Sequence, residues 1–374
     1  MYIIDFEIFS LRLNFYKIDI VYRDKCGFMD KIDFVMPWVD GQDRQWQAEK
    51  RRYEGKESAA EGDANDDCRY RDFGLLRYWF RSVEKFTPWV NNIYFVTCGQ
   101  KPEWLDESNP RLKLIDHRDY IPSEYLPTFN SNTIELNLFR IKELSEHFVL
   151  FNDDAFLLRP LPQEFFFRNE DPVIACELAI PAWLGYNMTS RIALNNSGIL
   201  KYSMNIEHHV WKHWNKFFNI RALGLPRAMK NLAAVTINRG VIFGSFGHLT
   251  HSHLKSSFAR IWDRKPDLMD LVSRFRFRSD EGISHWLASG WNMLDGRFYP
   301  AHERHRGICV NLTKDTVKTV CETIVGQSYP TVCMNDSPGC EDVFRLFGKV
   351  AEAFETLLPE KSSFEKDPGR DAPA

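Results

Sequence analysis

The stretch FVLFNDDAFLL, Phe148 to Leu158, sets an apolar run of strand length directly before Asn152, Asp153 and Asp154, then turns apolar again. Two adjacent carboxylates beside an amide are costly at the edge of a core unless a cation or strong hydrogen-bond donors compensate them. At the carboxyl end of a strand in an α/β sheet, that compensation usually comes from a metal, a nucleotide phosphate or a reacting hydroxyl. An Asx turn, which Asn and Asp form readily, explains the same residue types without a ligand.

Upstream, Thr133–His147 has helical spacing, with Ile134, Leu138 and Ile141 on one face and an Asn132/Glu135 pair resembling a capping box. Arg111–Ile115 and Asn92–Thr97 read as short strands, and Phe73–Phe86 as an amphipathic helix that Pro88 helps to close. Lys31–Val39 is a further strand, running into the Asp40-Gly41 turn signal, with a charged loop or short helix over Gln42–Asp67. Strands alternating with helices predict an α/β fold with a mostly parallel sheet and flanking helices. Ligands of such sheets bind beyond the carboxyl ends of the strands. Asp40 and Asp153/Asp154 would share that crevice, as expected of a site for a nucleoside diphosphate compound.

Beyond Pro160 the regularity weakens. Asp171–Ile180 predicts a strand, and His208–Phe218 an aromatic helix whose Trp211 and Trp214 suit a core better than a sugar platform. Phe258–Asp263, Leu268–Phe275 and Asp280–Ala288 predict short helices within a helical region spanning about 190–300. Gly339–Leu357 predicts a last helix. The expected organisation is an extension over 1–30, one catalytic domain over 31–358, and a tail over 359–374 that is disordered at its end.

A chain of 374 residues with 44% hydrophobic and 26% charged residues and net charge −3 is ordinary for a globular protein. The absence of a basic excess argues against a nucleic-acid partner. No run approaches the roughly 18–20 apolar residues of a membrane span, so no transmembrane segment is expected. Cytoplasm is the default compartment, with peripheral membrane association left open. The 8 cysteines form no C-x-x-C pair and read as reduced thiols rather than a disulfide framework or zinc site.

Four blocks stand in order: IDFVMPWVDG from Ile32 to Gly41; Arg71–Asp154, including RDFGLLRYWF, LPTFNSNTIELNLFRI and FNDD; His248–Trp286, with HLTHSHLKSSFARIW and FRFRSDEGISHW; and VCMNDS from Val332 running on to LLPEKSSFE. Together they resemble the Stealth family of sugar-1-phosphate transferases. The family includes bacterial capsular polysaccharide phosphotransferases and the catalytic subunit of the lysosomal-enzyme N-acetylglucosamine-1-phosphotransferase. Asn137 stands where a His is common and Gly282 where an acidic residue is common, which leaves one side-chain role open in each block.

The resemblance implies a domain similar to nucleotide-sugar transferases of the GT-A type. It also implies transfer of a hexose-1-phosphate from a UDP-sugar to a glycan hydroxyl, with release of UMP. The competing expectations are a glycosyltransferase releasing UDP, and a carbohydrate-binding protein without catalysis. Asp153 and Asp154 would supply charge for Mg²⁺ or Mn²⁺, or one would act as base; Asp336 would add to the metal site. His248 or His251 would be a general base or phosphate donor, and Arg278 would stabilise phosphoryl charge.

Asp40, Gly41, Arg71, Asp72, Asn152, Glu281 and Asn335 are the expected nucleotide or substrate contacts. Thr128, Asn130 and Ser131 join them at a helix amino end that would offer free N–H groups to phosphate. Each has a plainer reading: Asp72 as a helix cap, Thr128–Ser131 as capping residues, Asn335 as a turn, any one His as a core His, and Glu135 as an ion pair with Arg140. Arg77 and Arg81 rank below Arg71 and Asp72 as site residues.

Overall fold

The computed structural model describes residues 31–54, 67–179, 188–237, 242–243, 248–336 and 342–366. The expected extension 1–30 lies outside them. Eight strands position the site: β1 (Ile32–Pro37), β2 (Ile93–Thr97), β3 (Leu112–Asp116), β4 (His147–Leu150), β5 (Ala155–Leu157), β6 (His251–Leu254), β7 (Ile308–Asn311) and β8 (Thr331–Asn335). The central sheet has the order β6-β4-β1-β2-β3. All its pairings are parallel except β6 with β4. The expected mixed α/β architecture with a mostly parallel sheet is therefore present. Its antiparallel edge β6 was not anticipated.

The helices that frame the sheet and the site include α1 (Arg44–Glu54), α2 (Leu76–Phe86), α3 (Ser131–Leu136), α4 (Met188–Ser203), α5 (Trp286–Leu294), α6 (Val317–Gly326) and α7 (Val343–Leu357). The sheet is apolar on both faces because both are covered. Ile32, Phe34 and Met36 of β1 enter one core with Trp79 of α2 and Phe354 of α7. Val35 enters the other with Phe148, Leu150 and Trp291 of α5. Asp33, fully buried on β1, accepts hydrogen bonds from Asn91 Nδ2 (2.7 Å), Asn92 N (3.1 Å) and Ser145 N (2.8 Å).

Several elements differ from their sequence reading, each for a local reason. The helix expected to run to His147 stops at Leu136, because Asn137 Nδ2 takes the Thr133 carbonyl (2.8 Å). Its cap is Asn130, which accepts from Asn132 N, so the Asn132/Glu135 capping box does not form. The helix expected over Asp280–Ala288 begins only at Trp286. The turn Ser279–Gly282 is closed by its own backbone, and Asn195 of α4 binds the carbonyls of Asp280 (2.8 Å) and Gly282 (2.9 Å).

His208–Phe218 divides into Ile206–Lys212 and Trp214–Phe217. Its buried anchors are Val210 and Phe217, while Trp211 and Trp214 are 47% and 61% exposed, which corrects their expected core role. Residues 359–366, read as part of a tail, are packed on the domain: Phe364 is buried, and Arg81 Nε and Nη2 donate to Glu365.

Candidate active site

Strand direction gathers the candidate residues. β1, β2 and β4 end at one edge, and β6 starts there because His251 pairs with Leu150. His248 thus meets Asn152, with Nδ1 and Nδ2 3.1 Å apart. After Asn152 the chain turns tightly, Ala155 N donating to Asn152 O (3.0 Å), and enters β5. β5 pairs with β8, which delivers Asn335 and Asp336 to the same edge. The turn reading of Asn-Asp-Asp and the site reading are therefore compatible.

Asp153, Asp154, Asn335 and Asp336 line a cleft with Trp38, Arg69, Arg71 and Asp72. Arg71 Nη1 donates to Asp336 Oδ2 (3.1 Å). Asp40 sits beyond β1, its N–H bound by Gln100 Oε1 (2.9 Å) and its own Oδ1 accepting from Gln42 N (2.8 Å). Gly41 is required by packing, since a Cβ there would lie 2.0 Å from the Tyr70 carbonyl oxygen.

Four carboxylates, Asp72, Asp153, Asp154 and Asp336, share the cleft with Arg69 and Arg71. Burial first, then Asp154 and Asp72, pushes Asp153 well above the usual carboxylate range. Asp153 meets solvent at the cleft mouth, with the Asp154 and Asp72 carboxylates beside it. Burial also raises Asp154, against an opposing hydrogen bond from the Cys333 thiol. Asp72 is raised by burial, with Asp40 adding and Gly74 N–H and Arg77 opposing. Asp154 Oδ1 is buried and has no hydrogen-bond partner among the described residues.

A second polar layer lies beside the first. Arg278 Nη2 donates to Ser131 Oγ (2.9 Å). Its charge opposes the upward shifts of both Asp153 and Glu135, and burial pushes Glu135 up to about 7. Glu135 Oε2 lies 3.9 Å from His285 Nε2, and His285 Nδ1 lies 3.0 Å from His253 Nε2. The His251 ring stands 4.6 Å from that of His285. Burial, then Arg278 and Arg69, pushes His248 down to about 4, and burial pushes His253 down to about 3. Both are therefore neutral near pH 7 and act as hydrogen-bonding groups rather than cations.

The family model for Stealth conserved region 1 matches residues 30–58, and that for conserved region 2 matches residues 69–174. The chain is 40% identical over 341 residues to the capsular polysaccharide phosphotransferase WcwK of Streptococcus pneumoniae, covering 90% of this chain and 100% of that protein. This chain belongs to the Stealth family of phosphotransferases. The chain is also similar to the receptor polysaccharide phosphotransferase WefC of Streptococcus gordonii, 35% identical over 90% of this chain and 99% of its own, and to the exopolysaccharide phosphotransferase cps2G of Lactiplantibacillus plantarum, 32% identical over 90% and 96%. Among solved structures, the galactosyltransferase LgtC in complex with donor and acceptor sugar analogs has a TM-score of 0.40 and 10% identity, over 88% of this chain and 96% of its own.

Within this Stealth chain, Arg71, Asp72, Asp153, Asp154, Asn335 and Asp336 line one cleft, and Asn152, His248 and Arg278 adjoin it. Thr128 and Asn130 serve the scaffold. Thr128 Oγ1 accepts from Asn130 N (3.3 Å), and Asn130 Nδ2 donates to Phe275 O (3.0 Å) and Phe277 O (3.3 Å). At the amino end of α3, the Asn130 side chain accepts from Asn132 N (3.1 Å). Glu281 is exposed and outside the cleft lining. Arg140 donates to Asn137 Oδ1 and covers the Trp262 ring, so Glu135 does not pair with it.

Sequence reading missed His285 and Cys333. A divalent cation fits the site on one observation, the orphaned Asp154 Oδ1. The carboxylates of Asp153 and Asp154 suit Mg²⁺ or Mn²⁺, while Asp336 is engaged with Arg71. Ligand atoms of Asp154, His248 and Cys333 also lie within 4.8 Å of one another, a set whose nitrogen and sulfur suit a softer ion.

Proposed function

We propose that this enzyme transfers a hexose-1-phosphate, an N-acetylhexosamine-1-phosphate in the simplest case, from a UDP-sugar to a glycan hydroxyl. The setting is capsular or exopolysaccharide synthesis in the cytoplasm. The observation that carries this reading is the pair Asp153/Asp154, raised and incompletely partnered in a cleft that also holds Arg69 and Arg71.

The acceptor oxygen forms a bond to the donor β-phosphorus as the bond from that phosphorus to the bridging oxygen breaks, and UMP leaves with the electron pair. The sugar C1–O bond is untouched, so anomeric configuration is retained. A raised carboxylate is a competent proton acceptor near neutral pH, and Asp154, with Asp153 beside it, takes the hydroxyl proton. Arg278, steadied by Ser131, presents a planar fork to the transferring phosphoryl group. Neutral His248, held by Asn152, orients the acceptor, and His251 packs on the His285 ring in the adjoining layer. Asp40 and Arg71 bound the nucleotide side. Mg²⁺ or Mn²⁺ held by Asp153, beside that base, would neutralise pyrophosphate charge.

The test is nucleotide release. Purified protein with Mg²⁺ or Mn²⁺ is offered a panel of UDP-sugars and capsular oligosaccharide, with chromatography separating UMP from UDP. Acceptor-dependent UMP supports the reading; UDP would replace it with ordinary glycosyl transfer.

A further inference from the structure

Residues 201–236 carry a surface that the catalytic edge does not use. They fold as the end of α4 followed by the short helices Ile206–Lys212, Trp214–Phe217, Ile220–Leu223 and Leu225–Ile237. Ile206, Val210, Phe217 and Leu223 anchor the segment inward. Outward stand Tyr202 (93% exposed), Trp211 (47%), Trp214 (61%), Ile220 (58%), Leu225 (56%) and Met229 (55%). Most of the large apolar side chains exposed among the described residues are thus concentrated in this one segment.

Its charge is equally one-sided. Residues 201–236 hold 6 Lys/Arg and a single acidic residue, Glu207, in a chain whose net charge is −3. Three of these cations turn toward the protein. Lys216 binds Asp171 and the carbonyls of Gly296 and Phe298, while Arg227 and Lys230 pair with Glu177. Lys201, Lys212 and Arg221 remain exposed, the last two directly beside Trp211 and Ile220 in sequence.

Trp and aliphatic side chains interleaved with Lys and Arg match the two layers of a bilayer surface: acyl chains and glycerol below, anionic headgroups above. A second copy of the same face would set like charges against each other, which disfavours a symmetric dimer through it. Among the described residues no helix is long and apolar enough to cross a membrane, so contact through this face is peripheral.

We propose that this face seats the enzyme on an anionic lipid bilayer, with Trp211 and Trp214 at headgroup depth and Lys201, Lys212 and Arg221 against lipid phosphates. The inference is independent of the reaction assigned above.

The experiment is flotation of the full chain with phosphatidylglycerol/phosphatidylcholine vesicles and with pure phosphatidylcholine vesicles, at low and high salt. Wild type should float with the anionic vesicles alone, and less so in high salt. Trp211→Ser with Trp214→Ser, and separately Lys212→Glu with Arg221→Glu, should each weaken binding by at least about tenfold. Trp211→Phe with Trp214→Phe should retain binding and so separate lipid contact from misfolding. Melting curves and transfer to a soluble oligosaccharide should be unchanged in all three. The proposal is overturned by no flotation with anionic vesicles, by equal flotation of the variants, or by a concentration-dependent dimer that the same substitutions dissolve.

Discussion

Asp33 and Asp154 are carboxylates set by the same sheet, at opposite ends of its strands. Asp33, toward the amino end of β1, accepts three hydrogen bonds from neighbouring loops. Asp154, past the carboxyl end of β4, keeps one buried oxygen unpartnered and stands beside Asp153, with both carboxyls pushed up. The buried guanidinium of Arg81 follows the Asp33 pattern, donating to Glu365, Glu355 and the Leu358 carbonyl. Charges that hold the fold are compensated by the fold. At the carboxyl edge, Asp336 is paired with Arg71, but Asp154 keeps an oxygen that the fold does not compensate.

The largest expected effect separates the two aspartates. Asp154→Asn should lower turnover by about 10²–10⁴-fold, the range for loss of a general base. Its urea midpoint should stay level or rise, because an uncompensated charge has gone. A parallel loss of activity and stability would instead make Asp154 structural. Asp33→Ala should do the reverse. It strands backbone N–H groups of Asn92 and Ser145 and should cost about 2–6 kcal/mol in equilibrium unfolding, with turnover per folded molecule preserved.

A smaller effect tests the second polar layer. Ser131→Ala removes the hydroxyl that Arg278 donates to and should lower kcat by about tenfold, equivalent to about 1.4 kcal/mol. Donor KM should change less, and Ser131→Thr should restore the rate. Unchanged kcat would show that Arg278 needs no positioning.

The pH dependence is subtler. If the raised carboxylates act ionised, kcat rises with pH through a value above the ordinary Asp range of about 3.9. Asp153→Asn should move this limb downward. His248→Gln should leave it in place, since burial pushes His248 down to about 4. In metal-free protein the same groups destabilise as pH rises. The unfolded chain releases its carboxyl protons first, so stability falls from about pH 4 through the raised folded pKa. A flat profile there would remove the electrostatic half of the comparison.

The scaffold of this site was legible because it is built from simple signals. β1, β2 and β4 are apolar runs cut off by Asp-Gly, Cys-Gly and Asn-Asp, and their direction alone puts Asp40 and Asp153/Asp154 at one edge. β6 was hidden because its buried side chains include His253, which is accommodated by His285 rather than by apolarity. Cys309 and Cys333 show no motif spacing, yet the parallel register of β7 and β8 brings their sulfurs to 3.7 Å. Glu135 looked like a helix-surface partner for Arg140. Where α3 ends, Arg140 turns onto Trp262, and Glu135 is left facing His285. Such pairings depend on tertiary register, which local pattern does not contain.

The most direct test follows the β-phosphorus itself. A UDP-sugar labelled at the β-phosphate is incubated with glycan acceptor and either wild-type protein or Asp154→Asn, and label is counted in the glycan and in released nucleotide. Label recovered in the glycan as a phosphodiester with wild type, and absent with Asp154→Asn, is the predicted result. Label remaining in released UDP would contradict phosphoryl-sugar transfer at this site.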